Sequence, residues 1–263
     1  MKPVRVAVSG AQGRMGREII ATLCLDGEVE VVGATELNVT QDSLTLPSGK
    51  KVPFSSSLEQ IIKTGQPEVV VDFTTAKACL ASARIAIPSG VRLVIGTTGL
   101  TQEEQDEIRS LAAKHRVGVV MAPNFAVGAV LMIHLAQIAA KYLDSVEIIE
   151  LHHDLKADSP SGTALTTAGA IAASRAKPFK LTSQQRQPAE SRGQRVGDIT
   201  IHSVRLPGLV AHQEVLFGGV GQTLSIRHDS IGRQSFMPGI LLAIKEVGKY
   251  REMVYGLERL LGL

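Results

Sequence analysis

One short segment, Glu150–Ala164 (ELHHDLKADSPSGTA), places several chemically active side chains close together. His152 and His153 supply a candidate proton donor near neutral pH, and Lys156 adds a fixed cation. Three residues then open a predicted helix after a proline: Ser161, Gly162 and Thr163. Hydroxyls and free N–H groups at a helix start can hold a carboxylate, so the segment predicts proton transfer on an anionic molecule.

Two other interpretations of the paired histidines stay open from the residues alone. Adjacent histidines could ligate a metal ion, but neighbouring residues of a strand point to opposite faces, and the nearby lysine and proline add no ligands. We therefore predict no metal site. The histidines could also be polar groups with a purely structural role.

A glycine-rich turn near the N-terminus is the second candidate site. Gly10, Gly13 and Gly16 follow an apolar strand and run into a predicted helix with the spacing G-x-x-G-x-x-G, a variant of the dinucleotide fingerprint. A helix N-terminus offers unpaired N–H groups and a positive dipole end to a pyrophosphate, and glycines let the backbone approach closely. The other predicted contact residues of this turn are Ala11, Gln12, Arg14 and Met15.

Glu36 marks the end of the predicted second strand, about 20 residues past the last glycine, where dinucleotide-binding proteins place a ribose-binding acid. Its carboxylate should accept hydrogen bonds from an adenosine 2′-hydroxyl and repel a 2′-phosphate. Leu37 follows in place of a cation, which favours NADH over NADPH. Arg14 could reach a phosphate and leaves NADPH as an alternative, although an exposed arginine needs no such role. A tight turn with a surface glutamate is the competing interpretation.

The composition of the 263-residue chain is that of a globular protein, with 44% hydrophobic and 20% charged residues. The net charge of +3 is spread along the chain and aromatic residues make up only 3%, so we predict no nucleic-acid partner. The small positive excess would not oppose an anionic substrate.

Membrane insertion and secretion are not expected either. The longest apolar stretch, Ala126–Ala140, contains His134 and Gln137 and is shorter than the roughly 20 residues that cross a bilayer. Arg5 interrupts the first apolar run, unlike in a signal peptide. Both cysteines lie in apolar, helical contexts that are typical of reduced, buried thiols. We therefore expect a cytoplasmic protein.

Short β-branched runs alternate with helical stretches between Val4 and Met121, which predicts parallel strands in a doubly wound α/β sheet. The predicted strands are Val4–Val8, Val29–Gly33, Val69–Phe73, Val91–Ile95 and Val117–Met121. The predicted helices are Arg14–Leu25, Ala76–Ile87 and Gln102–His115. Thr101 and Glu104 form a capping-box pattern at the start of the last helix.

The pattern changes after Pro123. The predicted elements are a helix (Gly128–Tyr142), a strand (Ser145–Leu151), a helix (Gly162–Ala176), three strands (Ile199–Arg205, Glu214–Phe217, Thr223–His228) and a last helix (Phe236–Val247). Successive strands predict an antiparallel or mixed sheet in an α+β domain. We predict a dinucleotide-binding domain over residues 1–123, to which 236–263 return, and a substrate domain over 124–235. The polar stretch Ser183–Gly197 is interpreted as a mobile loop.

The segment Glu150–Ala164 closely resembles the motif E-x-H-H-x-x-K-x-D-x-P-S-G-T-A of the dihydrodipicolinate reductase family. Further blocks agree with this family in the same order along essentially the whole chain: Gly10–Gly16, Asp72–Thr74, Gly96–Gly99, Pro123–Gly128 and His228–Phe236 with Arg233. The resemblance implies a Rossmann-type first domain and a second domain whose sheet builds a homotetramer.

The resemblance also implies an activity, the NAD(P)H-dependent reduction of 4-hydroxy-tetrahydrodipicolinate, via dihydrodipicolinate, to tetrahydrodipicolinate in the diaminopimelate route to lysine. His152 would then be the proton donor and Lys156 a cation that holds or polarises this small cyclic dicarboxylate. His153 would contact a substrate carboxylate together with the Ser161–Thr163 turn. The residues implied to lie along the cofactor, besides those of the glycine turn and Glu36, are Thr74, Gly96, Thr97, Thr98, Pro123, Asn124 and Phe125.

Two positions depart from the family pattern. Leu37 stands where a basic residue is often found, and Ser159 stands where alanine is common. Two competing functions remain: another Rossmann dehydrogenase acting on amino or imino dicarboxylates, and a catalytically silent NAD-binding module. The run from His152 to Thr163 argues against the first. A silent module should have lost the proton donor or the cation, and both are present.

Overall fold

The chain folds into thirteen strands and eight helices over the residues that this computed structural model describes, 2–180 and 190–263. The strands are β1 (Val4–Ser9), β2 (Val29–Thr35), β3 (Ser43–Thr45), β4 (Lys51–Ser55), β5 (Val69–Asp72), β6 (Arg92–Ile95), β7 (Val119–Met121), β8 (Ser145–His152), β9 (Gln194–Val196), β10 (Ile199–Arg205), β11 (Ala211–Gly219), β12 (Gln222–Ser230) and β13 (Met253–Tyr255). The helices are α1 (Arg14–Leu23), α2 (Leu58–Gly65), α3 (Ala76–Ala86), α4 (Gln102–His115), α5 (Val127–Ala139), α6 (Gly162–Ala173), α7 (Met237–Glu246) and α8 (Glu258–Leu261).

The first of two compact units comprises residues 1–127 and 236–263. Its sheet has the strand order β13-β7-β6-β5-β1-β2-β4-β3. Every pair is parallel except β3 with β4. The predicted doubly wound parallel sheet is therefore confirmed. Since parallel strands all end at the same edge, this order brings the turns after β1, β2, β5 and β6 to one edge of the sheet.

Residues 36–68 of the first unit contain structure that the sequence patterns did not indicate. The antiparallel pair β3–β4 and the eight-residue helix α2 lie there, so the predicted third strand is in fact β5. Both strands are short, and β4 contains Pro53, which lowers the strand signal. Strand β13 has only three residues and was missed for the same reason.

Helix α4 has the predicted bounds and the predicted capping box. The Glu104 N–H donates to the Thr101 hydroxyl at 3.2 Å, and the Thr101 N–H donates to the Glu104 carboxylate at 2.8 Å. A local hydrogen-bonding pattern of this kind is fixed by four consecutive residues, so sequence alone locates it.

The second unit comprises residues 128–235 and is built on a five-stranded sheet in the order β12-β11-β8-β10-β9. Strand β8 is central, with β10 parallel on one side and β11 antiparallel on the other. The sheet is therefore mixed. Helices α5 and α6 pack on one face of it, where Ile148, Val215 and Phe217 are fully buried.

The interpretation of Ser183–Gly197 as a loop was wrong for its second half. Residues 194–196 form the edge strand β9, which pairs antiparallel with β10. This strand is short and its arginine and glutamine are exposed, so its sequence carries no strand pattern. The first part of the stretch, 183–189, lies outside the described residues. Within the described part of the chain, no helix is both long and apolar enough to cross a membrane.

Candidate active site

The glycine turn of the first unit closes tightly on the start of α1. Gly10 has a positive φ of 69°, and its carbonyl accepts the Gly13 N–H at 3.0 Å. A Cβ at Gly16 would lie 2.1 Å from the Gly10 carbonyl oxygen, so only glycine fits there. Within the described residues, no side chain caps the start of α1, and its first turn carries no acid. Its N–H groups are therefore available to an anion, as a pyrophosphate requires.

Glu36 lies directly after β2 and closes over the same turn. Its carboxylate accepts the Gln12 N–H and the Leu37 N–H, each at 3.0 Å. These two bonds fix a half-buried carboxylate at the glycine turn, where an adenosine ribose would need an acceptor. Leu37 is 81% exposed and adds no charge, and Arg14 is exposed on the first turn of α1. The residues present therefore fit a dinucleotide at this edge of the sheet.

Asp72, at the end of β5, organises the neighbouring turns from a fully buried position. It accepts hydrogen bonds from the hydroxyls of Thr74 at 2.6 Å and Thr97 at 2.8 Å. Thr97 is itself buried and also accepts the Thr74 N–H at 2.8 Å, so its hydroxyl is already hydrogen-bonded within these turns. Thr98 is exposed.

A cavity of about 110 Å³ lies within the first unit beside these turns. It is lined by Thr97, Thr98, Pro123 and Tyr255, among others, which places two of the predicted cofactor segments against one space. Gly96 contributes by its lack of a side chain, because a Cβ there would lie 2.0 Å from the Phe73 ring. The Thr74 side chain fills the space next to Gly10, because a Cβ at Gly10 would lie 2.8 Å from the Thr74 methyl group.

The side chains of Asn124 and Phe125 already have contact partners within the first unit. The Phe125 ring is only 1% exposed and packs on Phe73, with ring centroids 5.3 Å apart. The Asn124 side-chain oxygen accepts the Ala126 N–H at 2.8 Å. The resemblance implies that Phe125 lies near a cofactor, but its ring packs in the core and has almost no exposed surface for such a contact.

The end of β8 in the second unit carries a buried carboxylate with several partners. Glu150 is fully buried, and its Oε2 lies 2.5 Å from Nδ1 of His152, two residues on along the same face. Arg205 of β10 donates to both carboxylate oxygens, at 2.9 and 2.8 Å. The Ser161 N–H donates to Oε1 at 3.2 Å. This one carboxylate thus joins β8, β10 and the start of α6.

Burial and charge set the protonation of this group. Burial alone would raise the pKa of Glu150, but hydrogen bonds from Arg205, Ser203 and His152 outweigh it and leave the pKa below its usual value. Burial lowers the pKa of His152, the bond to Glu150 opposes that change, and the charges of Lys156 and Arg205 lower the pKa further. Glu150 is therefore ionised at neutral pH, and His152 releases its proton more readily than a free histidine.

Lys156 and His153 lie on the turn that follows β8. The Lys156 N–H donates to the His153 carbonyl at 3.2 Å, and its ammonium lies 2.7 Å from the Asp158 carboxylate, whose pKa this contact lowers. His153 is exposed. Over the described residues, no group of three or more histidine, cysteine, aspartate or glutamate side chains could hold a metal ion.

The predicted carboxylate cradle is only partly available. Ser161 is buried and acts as the N-cap of α6, its hydroxyl accepting the Ala164 N–H at 3.2 Å while its own N–H is bound to Glu150. The cap uses one acceptor position of that oxygen and leaves its O–H as a donor, so contact of Ser161 with substrate stays a prediction. Gly162 is exposed and Thr163 half-buried, and the Gly162 N–H donates to the Asp158 carboxylate, so a substrate carboxylate would have to replace Asp158 there.

Arg205 is the residue that sequence reasoning missed. It lies 55 positions beyond Glu150, and only the parallel register of β10 with β8, which pairs it with His152, brings it to the site. Glu150 and Asp158 stood within the recognised motif but had been given no role. The signal for Arg205 was weak, since it is one basic residue at the end of a predicted strand.

A doubly wound parallel sheet with a glycine turn after its first strand, joined to a mixed-sheet unit with a histidine–carboxylate pair, defines a two-unit oxidoreductase of the Rossmann type. Family models for the N-terminus and the C-terminus of dihydrodipicolinate reductase match residues 4–125 and 128–261. The chain belongs to the dihydrodipicolinate reductase family.

Relatives named 4-hydroxy-tetrahydrodipicolinate reductase match over nearly the full length. The protein of a Dehalococcoides mccartyi strain is 48% identical, over 100% of both chains, and that of Moorella thermoacetica is 49% identical, over 98% of both. A dipicolinate-bound dihydrodipicolinate reductase from Paenisporosarcina sp. TG-14 superimposes with a TM-score of 0.87 at 43% identity, covering 98% of this chain and 99% of the other. An amine dehydrogenase from Mycobacterium smegmatis, at 15% identity and a TM-score of 0.67, covers 97% of this chain and 95% of its own and shares the fold alone.

Proposed function

We propose that the protein reduces 4-hydroxy-tetrahydrodipicolinate to tetrahydrodipicolinate with a nicotinamide cofactor, in the diaminopimelate route to lysine. The observation that carries the proposal is the group at the end of β8, where His152, held by Glu150, stands beside Lys156 and the open start of α6. The names of the full-length relatives support the same reaction.

In this proposal a bound nicotinamide supplies the hydride to the α,β-unsaturated cyclic imine that remains after the 4-hydroxy compound loses water. His152 donates the proton that completes the reduction, and its lowered pKa makes the release easier. The hydride and the proton together add two hydrogens across one double bond. His152 is then reprotonated from solvent before the next turnover.

The two carboxylates of the substrate need cations and N–H donors. We propose that Lys156, His153 and the N–H groups of Gly162 and Thr163 supply these cations and donors. Lys156 is bound to Asp158 at 2.7 Å, so a substrate carboxylate would replace or share that partner. Ser161 then acts through its cap and its N–H to Glu150, which fix the start of the helix.

The cofactor proposal follows from the first unit. The uncapped start of α1 would hold the pyrophosphate, and Glu36 would accept from the adenosine ribose. A carboxylate without a neighbouring cation disfavours a 2′-phosphate, so we propose NADH as the preferred reductant and NADPH as the alternative.

A coupled assay tests the proposal. Pyruvate and aspartate semialdehyde are condensed by the preceding synthase, this protein is added, and the oxidation of NADH and of NADPH is followed separately by the loss of absorbance of the reduced nicotinamide. Rapid oxidation that depends on the synthase supports the function, and the ratio of the two rates tests the cofactor preference. Cofactor binding without oxidation of either would overturn it.

We also propose that the protein forms a homotetramer in the cytoplasm, assembled through the sheet of the second unit. Half-exposed apolar side chains on the strands of this sheet, Val204 and Leu216, are consistent with a covered surface. Sedimentation equilibrium tests the assembly, and a purely monomeric protein at micromolar concentration would contradict it.

A further inference from the structure

Strand β8 carries a glutamate–histidine–arginine group on each of its faces. On the face covered by helices, Glu150 binds His152 at 2.5 Å and Arg205 at 2.8 and 2.9 Å. On the opposite face, Glu147 binds His202 at 2.7 Å and also binds Arg192. The groups differ in burial, because the Glu150 side chain is fully buried whereas that of Glu147 is 27% exposed. They also differ in the histidine nitrogen that is bound, Nδ1 in the first and Nε2 in the second.

We propose that Glu150, fixed by Arg205, is a positioning residue that keeps one hydrogen on Nδ1 of His152 in both the neutral and the protonated ring, so that Nε2 is the nitrogen that takes up a second proton from solvent and delivers it to substrate. The role of His152 as donor rests on the proposed function, but its hydrogen bonds do not. An ionised carboxylate can only accept, so the nitrogen 2.5 Å from Glu150 must carry a hydrogen. Among the described residues, Nε2 of His152 has no hydrogen-bond partner, which leaves it for the substrate.

Arg205 has a definite part in this arrangement. A fully buried carboxylate without a cation would take up a proton and could then donate to Nδ1 instead of accepting from it. The two bonds from Arg205 hold Glu150 ionised, and therefore hold it as an acceptor. Arg205 also donates to the Asp158 carbonyl at 2.7 Å, which ties the turn that carries Lys156 to the same group.

Glu150 also fixes the place where substrate would bind. Its Oε1 accepts the Ser161 N–H at 3.2 Å, at the residue just before the first turn of α6. The proton donor and the proposed carboxylate-binding turn are therefore held by one carboxylate. Loss of the Glu150 carboxylate would displace this turn and weaken the tautomer preference of His152. Each change would lower turnover more than it lowers the affinity for the cofactor.

Imidazole ¹⁵N NMR of the full-length protein tests the tautomer directly. The His152 signals are assigned by their loss in His152→Gln, and their shifts above the pKa report which nitrogen carries the hydrogen. We expect hydrogen on Nδ1 of His152 in the unaltered protein. Hydrogen on Nε2 alone would overturn the proposal.

Glu150→Gln and Glu147→Gln form a matched pair, since each removes one carboxylate from the same strand. In Glu150→Gln the attraction that opposes burial is lost while Lys156 and Arg205 remain, so the pKa of His152 should fall and its tautomer preference should weaken. Glu147→Gln should leave both unchanged. Equal changes in the two variants would show a merely structural effect and overturn the proposal. If Glu150→Gln does not fold, Arg205→Lys takes its place, with the same expectation for the tautomer in weaker form.

Steady-state kinetics test whether Glu150 positions His152 for proton transfer. In Glu150→Gln, kcat should fall by about 10²-fold, KM for the nicotinamide should stay the same, and the alkaline limb of the kcat profile should move to lower pH. Unchanged kcat in a folded variant would overturn the proposal. If the unaltered protein has no reductase activity, the proposed function fails, and the NMR result still decides the hydrogen-bond assignment by itself.

Discussion

In the first unit, the groups placed to hold a ligand are main-chain N–H donors at the uncapped start of α1, with Glu36 beside them. In the second unit they are charged side chains that already bind one another, as Glu150 binds His152 and Arg205. A backbone site keeps its charge distribution at every pH and tolerates most side-chain changes, provided that the turn can close. A side-chain site depends on protonation and on partners from distant strands, and it can carry out proton transfer.

The comparison predicts the largest effect for His152→Gln in the second unit. Loss of the proton donor should lower kcat by about 10² to 10⁴-fold, because general acid catalysis contributes that much. Cofactor affinity, measured by fluorescence titration with NADH, should not change, since the glycine turn lies in the other unit. His153→Gln, at the exposed neighbour, is the control and should affect KM for substrate more than kcat. Full activity of His152→Gln would remove the proton-donor assignment, and a protein with no activity to lose would be the silent binding module.

Gly16→Ala should produce the corresponding loss in the first unit. The added Cβ would lie 2.1 Å from the Gly10 carbonyl, so the turn must open and its N–H groups must shift. We expect NADH to bind at least about 10-fold more weakly and stability to fall by about 1–3 kcal/mol. Gly27→Ala, where a Cβ would meet nothing within 4 Å, is the matched control for calorimetry and titration. Normal affinity in Gly16→Ala would show that the turn does not hold the cofactor.

The two sites also differ in how far the sequence could predict them. The glycine turn, Glu36 and the capping box of α4 depend on residues close in sequence or on regular spacing, and the structure places them where the patterns indicated. Strands β3 and β4 were missed because they are short and pair only with each other and β2. Local patterns do not report such pairings.

The second site was predicted only in its local part. The motif located His152 and Lys156, but Arg205 reaches them through a strand register, and no local pattern reports a register. Ser161 is predicted to bind substrate because serine at a helix start is a good donor, and the structure adds that the same side chain is the N-cap of α6. Thr97 and Phe125 were likewise predicted from their segment, and in the structure both residues are buried.

Leu37→Arg should sharpen the cofactor assignment with a smaller effect. The side chain is 81% exposed next to Glu36, so an added cation could meet a 2′-phosphate without disturbing the core. We expect kcat/KM for NADPH relative to NADH to rise by about 10-fold, which corresponds to about 1.4 kcal/mol. Leu25→Arg places the same charge at another exposed leucine of this unit and should leave the ratio unchanged. Equal NADPH-to-NADH ratios of kcat/KM in the two variants would mean that residue 37 does not determine the cofactor preference.

The smallest predicted effect is a pH dependence confined to the second unit. Burial lowers the pKa of both His152 and His228 below the value near 6.5 of an unfolded chain. A lowered folded pKa gives stability that is present above the unfolded value and is lost as pH falls through the folded one. The first unit has one histidine, His115, at its surface, and its shifted carboxylates, such as Asp26, titrate at lower pH.

Between about pH 7 and pH 5, amide hydrogen exchange should therefore accelerate in the second unit, after correction for the intrinsic rate, and stay constant in the first. His228→Asn should reduce the acceleration, because it removes one of the two groups that must take up a proton while buried. His153→Gln, which removes an exposed histidine of the same unit, should not. Equal acceleration in both units would mean that the buried histidines do not set the pH response, and that the contrast between a backbone site and a titrating site does not extend to stability.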